Sequence, residues 1–139
     1  MARLEPGLRC VEEFRVEEEH TASHVGSGTV RVLSTPAMIA FMEITALHCA
    51  QRYLGEGETT VGTMVCVRHL APAPVGVVVR VEAVLEKVEG RRLLFRVRAW
   101  WGDTLLGEGE HERYIVNTER FLAKVEKMLR EKQEKETKS

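Results

Sequence analysis

The sequence predicts an α+β fold in which an antiparallel sheet wraps one long central helix, with a further helix at the C-terminus. Three observations carry this. After Pro36 no Gly or Pro occurs until Gly55. Everything between Thr59 and Val116 falls into alternating, β-branched segments. The later segments are joined by the tight-turn signals Glu89-Gly90 and Gly102-Asp103. The 139 residues, 44% hydrophobic and 29% charged, suffice for one ordinary core and read as one domain over 1–139.

Taken in order, Val11 to His20 alternates as an edge strand does. Ser34 or Thr35 can cap the long helix, and Pro36 suits its first turn, where no backbone N–H is needed. About five turns follow. Thr59 to Leu70 reads as a strand, Pro72 and Pro74 interrupt the chain, and Val75 to Val88 resumes the alternation. Leu93 to Trp101 and Leu105 to Val116 complete a meander. From Thr118 an apolar stripe of Phe121, Leu122, Val125, Met128 and Leu129 marks a helix. Its charged end, about 131–139, reads as a frayed tail. Strand, long helix, then hairpin-linked strands is the order of a hotdog domain.

Charge and composition exclude several classes of function. Twenty Lys and Arg against twenty-one Asp and Glu give a net charge of −1, so no global field draws nucleic acid or an anionic membrane. No apolar run approaches the roughly 20 residues that span a bilayer, and Met1 to Cys10 lacks a secretory pattern, which predicts a cytoplasmic protein. Cys10, Cys49 and Cys66 have no CxxC spacing, and the expectation is three reduced thiols. His20 and His24 lack the further ligands of a metal site, so no metal is expected. Gly26-Ser27-Gly28-Thr29 is not followed by the Lys of a phosphate loop. There is no GxSxG, and neither Cys49 nor Cys66 has an evident base.

The helix supplies the first candidate for chemistry. At about 100° per residue, Pro36, Ile39, Ala40, Ala46, Leu47 and Ala50 all lie within about 60° of Glu43. A carboxylate on an apolar stripe is expected to lose water on folding, and must then find hydrogen-bond partners or take up a proton. It serves either as a general base or as a satisfied structural carboxylate. On the strands, His69 is expected to share a face with Val61, Val65 and Val67. Gly107 and Gly109 remove bulk on the face of the last strand that carries His111 and Arg113, permitting close approach of a helix or ligand. Glu108, Glu110 and Glu112 line the opposite, solvated face.

Thr35-Pro36-Ala37-Met38-Ile39-Ala40-Phe41-Met42-Glu43, followed by Val61-Gly62-Thr63-Met64-Val65-Cys66-Val67-Arg68-His69, resembles the hotdog thioesterases of the fluoroacetyl-CoA thioesterase type. Val88 to Leu93, Gly109 to Arg113 and Glu119 to Val125 are similar to the corresponding family segments, so the resemblance runs from about Val11 to Val125. It implies a homodimer with its active site at the subunit interface, hydrolysing an acyl-CoA thioester without metal or cofactor. The family's catalytic residues fall on Thr35, Glu43 and His69, and its substrate contacts on Gly62 and Arg113. Glu43 would act as nucleophile or base, His69 would activate water or protonate the leaving thiolate, and Thr35 would donate a hydrogen bond. The N-terminus of the helix, near Pro36 and Ala37, offers a positive dipole end for oxyanion charge.

In that family a lid bearing phenylalanines precedes the helix, whereas Val25 to Thr29 contains no aromatic residue. The expected substrate is therefore a short or medium acyl-CoA rather than fluoroacetyl-CoA itself. Two rivals use the same fold: an acyl-thioester hydratase or dehydratase, and a non-catalytic acyl-CoA-binding protein. With the chain nearly neutral, attraction for CoA phosphates must come from a few local arginines, first among them Arg113, Arg91 and Arg92.

Overall fold

A computed structural model describes residues 4–138. Five strands, β1 (Arg9–Arg15), β2 (Glu58–His69), β3 (Val78–Glu89), β4 (Arg92–Trp101) and β5 (Thr104–Asn117), form one sheet in the order β1-β3-β4-β5-β2. Every neighbouring pair is antiparallel. A 3-10 turn (Glu18–His20) and a short helix, α1 (Ala22–Val25), lead to the long helix α2 (Thr35–Gln51); α3 (Thr118–Lys138) closes the chain. The helix α2 lies across one face of the sheet, meeting β1, β2, β3 and β4. Its side chains Met38, Phe41, Met42, Ala46 and Cys49 interlock with Val79, Val81, Leu85, Phe95 and Val97, all buried. The expected α+β architecture is what the chain adopts.

Several elements begin or end for local reasons. Of the two possible caps, Ser34 is used: its Oγ accepts from Ala37 N at 3.1 Å, and Pro36 follows in the first turn. The Thr35 hydroxyl is thereby left for other work. The first strand is shorter than Val11 to His20, because the chain turns into the 3-10 segment once Val16 has been buried. Residues 131–138 do not fray but continue α3. They are a run of helix-forming Glu, Lys and Gln, preceded by a Lys127–Glu131 pair at 3.9 Å. Gly107 takes the helix at close quarters, since a Cβ there would sit 2.6 Å from Met38 Sδ. At Gly109 a Cβ would meet the β2 backbone itself, 2.1 Å from the Cys66 carbonyl oxygen. The outward glutamates carry ion pairs, Glu112 with Arg92 and Glu108 with Arg98.

The three cysteines are not all reduced. Cys10 on β1 and Cys49 near the end of α2 form a disulfide, leaving Cys66 free and exposed. Packing of the edge strand on the helix, not sequence spacing, brings their Cα atoms to 5.7 Å. The bond closes a loop with a sequence separation of 39. In the chain-entropy account such a loop contributes about 4 kcal/mol. Reduction should therefore lower Tm by roughly 10 °C for a chain of this length. Melting curves with and without dithiothreitol test this, and coincident curves would show that the bond adds nothing.

Candidate active site

The β2–β5 register builds the site. Gly62 pairs with Arg113 and Met64 with Glu112, so Thr63 is an extra residue, a β-bulge. Beyond it Val65, Val67 and His69 face His111, Gly109 and Gly107. On the other side Gly62 and Thr60 face Arg113 and Ile115. The bulge reverses the alternation of β2, so Val61 does not share a face with His69 as the unbroken pattern predicted. It places Gly62 and His69 on the helix-facing side together.

At the start of α2, Thr35 Oγ1 and His69 Nδ1 are hydrogen-bonded at 2.8 Å. Burial holds the His69 imidazole below the ordinary histidine value, opposed in part by the Ala71 backbone. His69 Nε2 is buried and has no hydrogen-bond partner among the described residues. This pair lines a cleft of about 360 Å³ with Ala22, Ser27, Val32 and Leu70. Ser27 belongs to the Val25 to Thr29 segment, which contains no aromatic residue.

Two turns along the same helix, a second group forms. Glu43 Oε2 lies 4.0 Å from Arg113 Nη1, and the two side chains line a smaller cleft with Ala40, Ile44 and Leu47. The Arg113 side chain is 7% exposed and is held from three sides. Nε donates to Thr60 Oγ1 at 2.7 Å, Nη2 to the Thr60 carbonyl at 3.0 Å, and Nη1 to His111 Nε2 at 3.1 Å. His111 in turn donates from Nδ1 to the Met64 carbonyl at 2.9 Å, the tautomer that leaves Nε2 as acceptor. Burial lowers the proton affinity of His111, the Arg113 charge adding to this and the Met64 carbonyl and Glu43 charge opposing it. Burial also draws the Arg113 guanidinium below its ordinary value, and the Glu43 charge opposes this. Gly62 leaves room for the group: a Cβ there would lie 3.0 Å from Glu43 Oε2 and 3.3 Å from His111 Cε1.

The five residues singled out from sequence thus fall into two clusters, Thr35 with His69 and Glu43 with Gly62 and Arg113. Glu43 is eight positions beyond Thr35 on the helix, about 12 Å along the axis. Glu43 is not buried on its apolar stripe as predicted. Its side chain is 42% exposed within one chain, because Ala46 and Ala50 face the core while Pro36 and Ala40 face outward. The helix is apolar nearly all round, and Glu43 stands on the half that its own sheet leaves uncovered. Sequence reasoning placed His111 and Arg113 on one face but missed their cross-strand partners Met64 and Thr60, which depend on register between residues 47 and 53 positions apart.

An α2 helix wrapped by a five-stranded antiparallel sheet, with a Thr–His pair and a Glu–Arg pair on its open side, defines a hotdog-like protein of the thioesterase superfamily. The family described as fluoroacetyl-CoA-specific thioesterase matches residues 16–119, and the chain belongs to it. It is 38% identical over 125 residues to a fluoroacetyl-CoA thioesterase of Streptantibioticus cattleyicolor, covering 86% of this chain and 90% of that protein. A crystal structure of a phenylalanine-to-alanine mutant of a fluoroacetyl-CoA-specific thioesterase, in complex with fluoroacetate and CoA, superposes with a TM-score of 0.80. It is 36% identical and covers 84% of this chain and 98% of that one. A Thermus thermophilus member of the thioesterase superfamily is 35% identical, covers 100% of both chains and gives a TM-score of 0.82.

Proposed function

We propose that the protein hydrolyses a short or medium acyl-CoA thioester to the free acid and CoA, in a homodimer whose two chains share each active site. The Thr35–His69 hydrogen bond at 2.8 Å, beside an accessible cleft, is the observation that carries this most directly. Glu43 is the nucleophile or general base toward the thioester carbonyl. Arg113, fixed by Thr60 and His111, keeps that carboxylate oriented and presents one cationic edge to the substrate. Neutral His69 takes the proton of a hydrolytic water or returns one to the departing thiolate, with Thr35 setting its ring. No step needs a metal.

Separation of the two clusters supports the dimer. The outer face of α2 presents Ala40, Ile44 and Leu47, and β2 ends the sheet with one side unpaired and Val65 37% exposed. Apolar surface beside a 12-residue free edge is what a second copy covers. Two antiparallel copies of α2, related by an axis near Ile39 and Ala40, bring Glu43 of one chain to Thr35 and His69 of the other. Purified protein should release thiol from some member of an acyl-CoA series graded by chain length. Loss of enoyl absorbance without thiol release would select a hydratase instead, and saturable binding without turnover a carrier.

A pH dependence follows from the two histidines. Both have folded-state proton affinities below the ordinary value, so the unfolded chain binds more protons as pH falls. Their stabilisation is complete above about pH 6.5 and is lost progressively below it. Neutral His69 likewise persists to lower pH than an exposed histidine would. The acid limb of kcat/KM should therefore lie below about pH 6.5, and Tm should decline over the same range. An acid limb at or above that value would contradict the assigned role.

A further inference from the structure

One concentration of positive charge is not used by the acid–base groups. A cleft of about 280 Å³ lies between the turn joining β3 to β4 and the first turns of α3. Arg91 enters it from the turn; Arg120 and Lys124 enter from the helix; Ile115 and Phe121 form apolar walls. Arg120 and Lys124 stand four residues apart on one helix face, a spacing at which like charges repel. Arg91 adds a third cation. Its only carboxylate neighbour among the described residues is Glu58, at 3.4 Å and with the Arg91 side chain 58% exposed. No ion pair forms at Arg120 or Lys124 among the described residues. Three other surface arginines are each engaged by carboxylates: Arg92 by Glu112 and Glu89, Arg96 by Glu86, Arg31 by Glu18. Three cations gathered round one cleft, with a single weak acidic partner, form an anion site rather than a solvated face.

Its position tells which anion. Ile115 lies on the same face of β5 as Arg113, two residues further along, hence about 7 Å away. Arg113 is itself 4.0 Å from Glu43. The cleft therefore continues from the Glu43 cluster along one strand face, past the end of β5 to the start of α3, where the helix dipole adds positive potential. Phe121, 38% exposed, offers a ring face beside the three cations. Phosphates flanked by an aromatic base match this arrangement.

We infer that Arg91, Arg120 and Lys124 bind the phosphate-bearing nucleotide end of a CoA ester whose thioester lies at the Glu43 cluster. This rests on the proposed hydrolysis for the ester's placement, but the anion site can be measured without turnover. Arg92 and Arg113, suggested by sequence for the same task, are occupied by Glu112 and by Thr60 with His111.

Calorimetric titration of the wild type and of Arg120→Gln/Lys124→Gln with CoA, pantetheine and inorganic phosphate tests the site. Both side chains are on an exposed helix, and Lys124→Glu serves as a second variant. CoA affinity should fall about tenfold in the double variant and further with Lys124→Glu, while pantetheine affinity is the same in all three. Equal CoA affinity throughout, or inorganic phosphate competing as well as CoA does, would overturn the assignment. In kinetics, the ratio of kcat/KM for acyl-CoA to that for the matching acyl-pantetheine should drop by a similar factor. Hydrolysis with an unchanged ratio overturns this inference and leaves the hydrolase standing. CoA binding that is lost in the variants, without hydrolysis of any thioester, supports the site and removes the hydrolase.

Discussion

Glu43→Gln should abolish thiol release, lowering kcat by about a hundredfold to ten-thousandfold, the range expected when a general base or nucleophile is lost. The substitution keeps the shape of the side chain and removes only its charge and basicity. Its structural cost is small. Glu43 is 42% exposed, and its one ionic neighbour among the described residues, Arg113, keeps its contacts to Thr60 and His111. The melting temperature of the variant should therefore stay within a few degrees of wild type, so that lost activity cannot be assigned to unfolding. KM should change less than kcat, because the apolar walls of Ala40, Ile44 and Leu47 remain. A variant that retains the wild-type rate would show Glu43 to be a surface carboxylate and leave binding without catalysis as the better account. Glu43→Ala is less informative, since it also opens space beside Gly62 that water can fill.

What could be seen in the sequence was local. Pro36 and the Gly-free run from Ala37 to Leu54 mark α2 to within a few residues, and the two turn dipeptides mark the hairpins β3–β4 and β4–β5. Periodicity also found Glu43, because a carboxylate among Ile39, Ala40 and Leu47 breaks a pattern that short-range geometry imposes. What periodicity could not do was choose between two apolar sides of one helix. Met38, Phe41 and Met42 are as apolar as Ile39, Ala40 and Leu47, yet only the first set faces the sheet. The bulge at Thr63 was equally silent. It shifts a strand by one residue, reverses the face assigned to Val61, and has no residue-type signature in Gly62-Thr63-Met64. The Cys10–Cys49 bond and the Arg113–Thr60 hydrogen bonds are long-range facts, set by which strands become neighbours. Patterning named Thr35 as a possible cap and His69 as a strand residue but had no reason to join them; the family resemblance paired them, and their 2.8 Å hydrogen bond shows that the fold joins them.

Mixing two inactive variants should restore activity. In the proposed homodimer, Glu43→Ala and His69→Ala each leave two defective sites. If Glu43 works with Thr35 and His69 of the same chain, every site in a mixture still lacks one group, and exchange of subunits recovers nothing. If each site takes Glu43 from one chain and His69 from the other, the mixed dimer holds one site with both defects and one fully wild-type site. Random exchange makes half the dimers mixed, so about a quarter of wild-type activity should return. The two arrangements predict outcomes that differ by far more than assay error. The eight-residue step along α2 from Thr35 to Glu43, about 12 Å of axis, argues for the second arrangement. No rotamer of a glutamate spans that distance, and the rigid helix cannot shorten it. Failure to recover activity after verified exchange, by dual-tag purification of the mixed dimer, would require a single-chain site and a movement of α2 against β2. The Thr35–His69 bond and the Met38 contact at Gly107 both oppose such a movement.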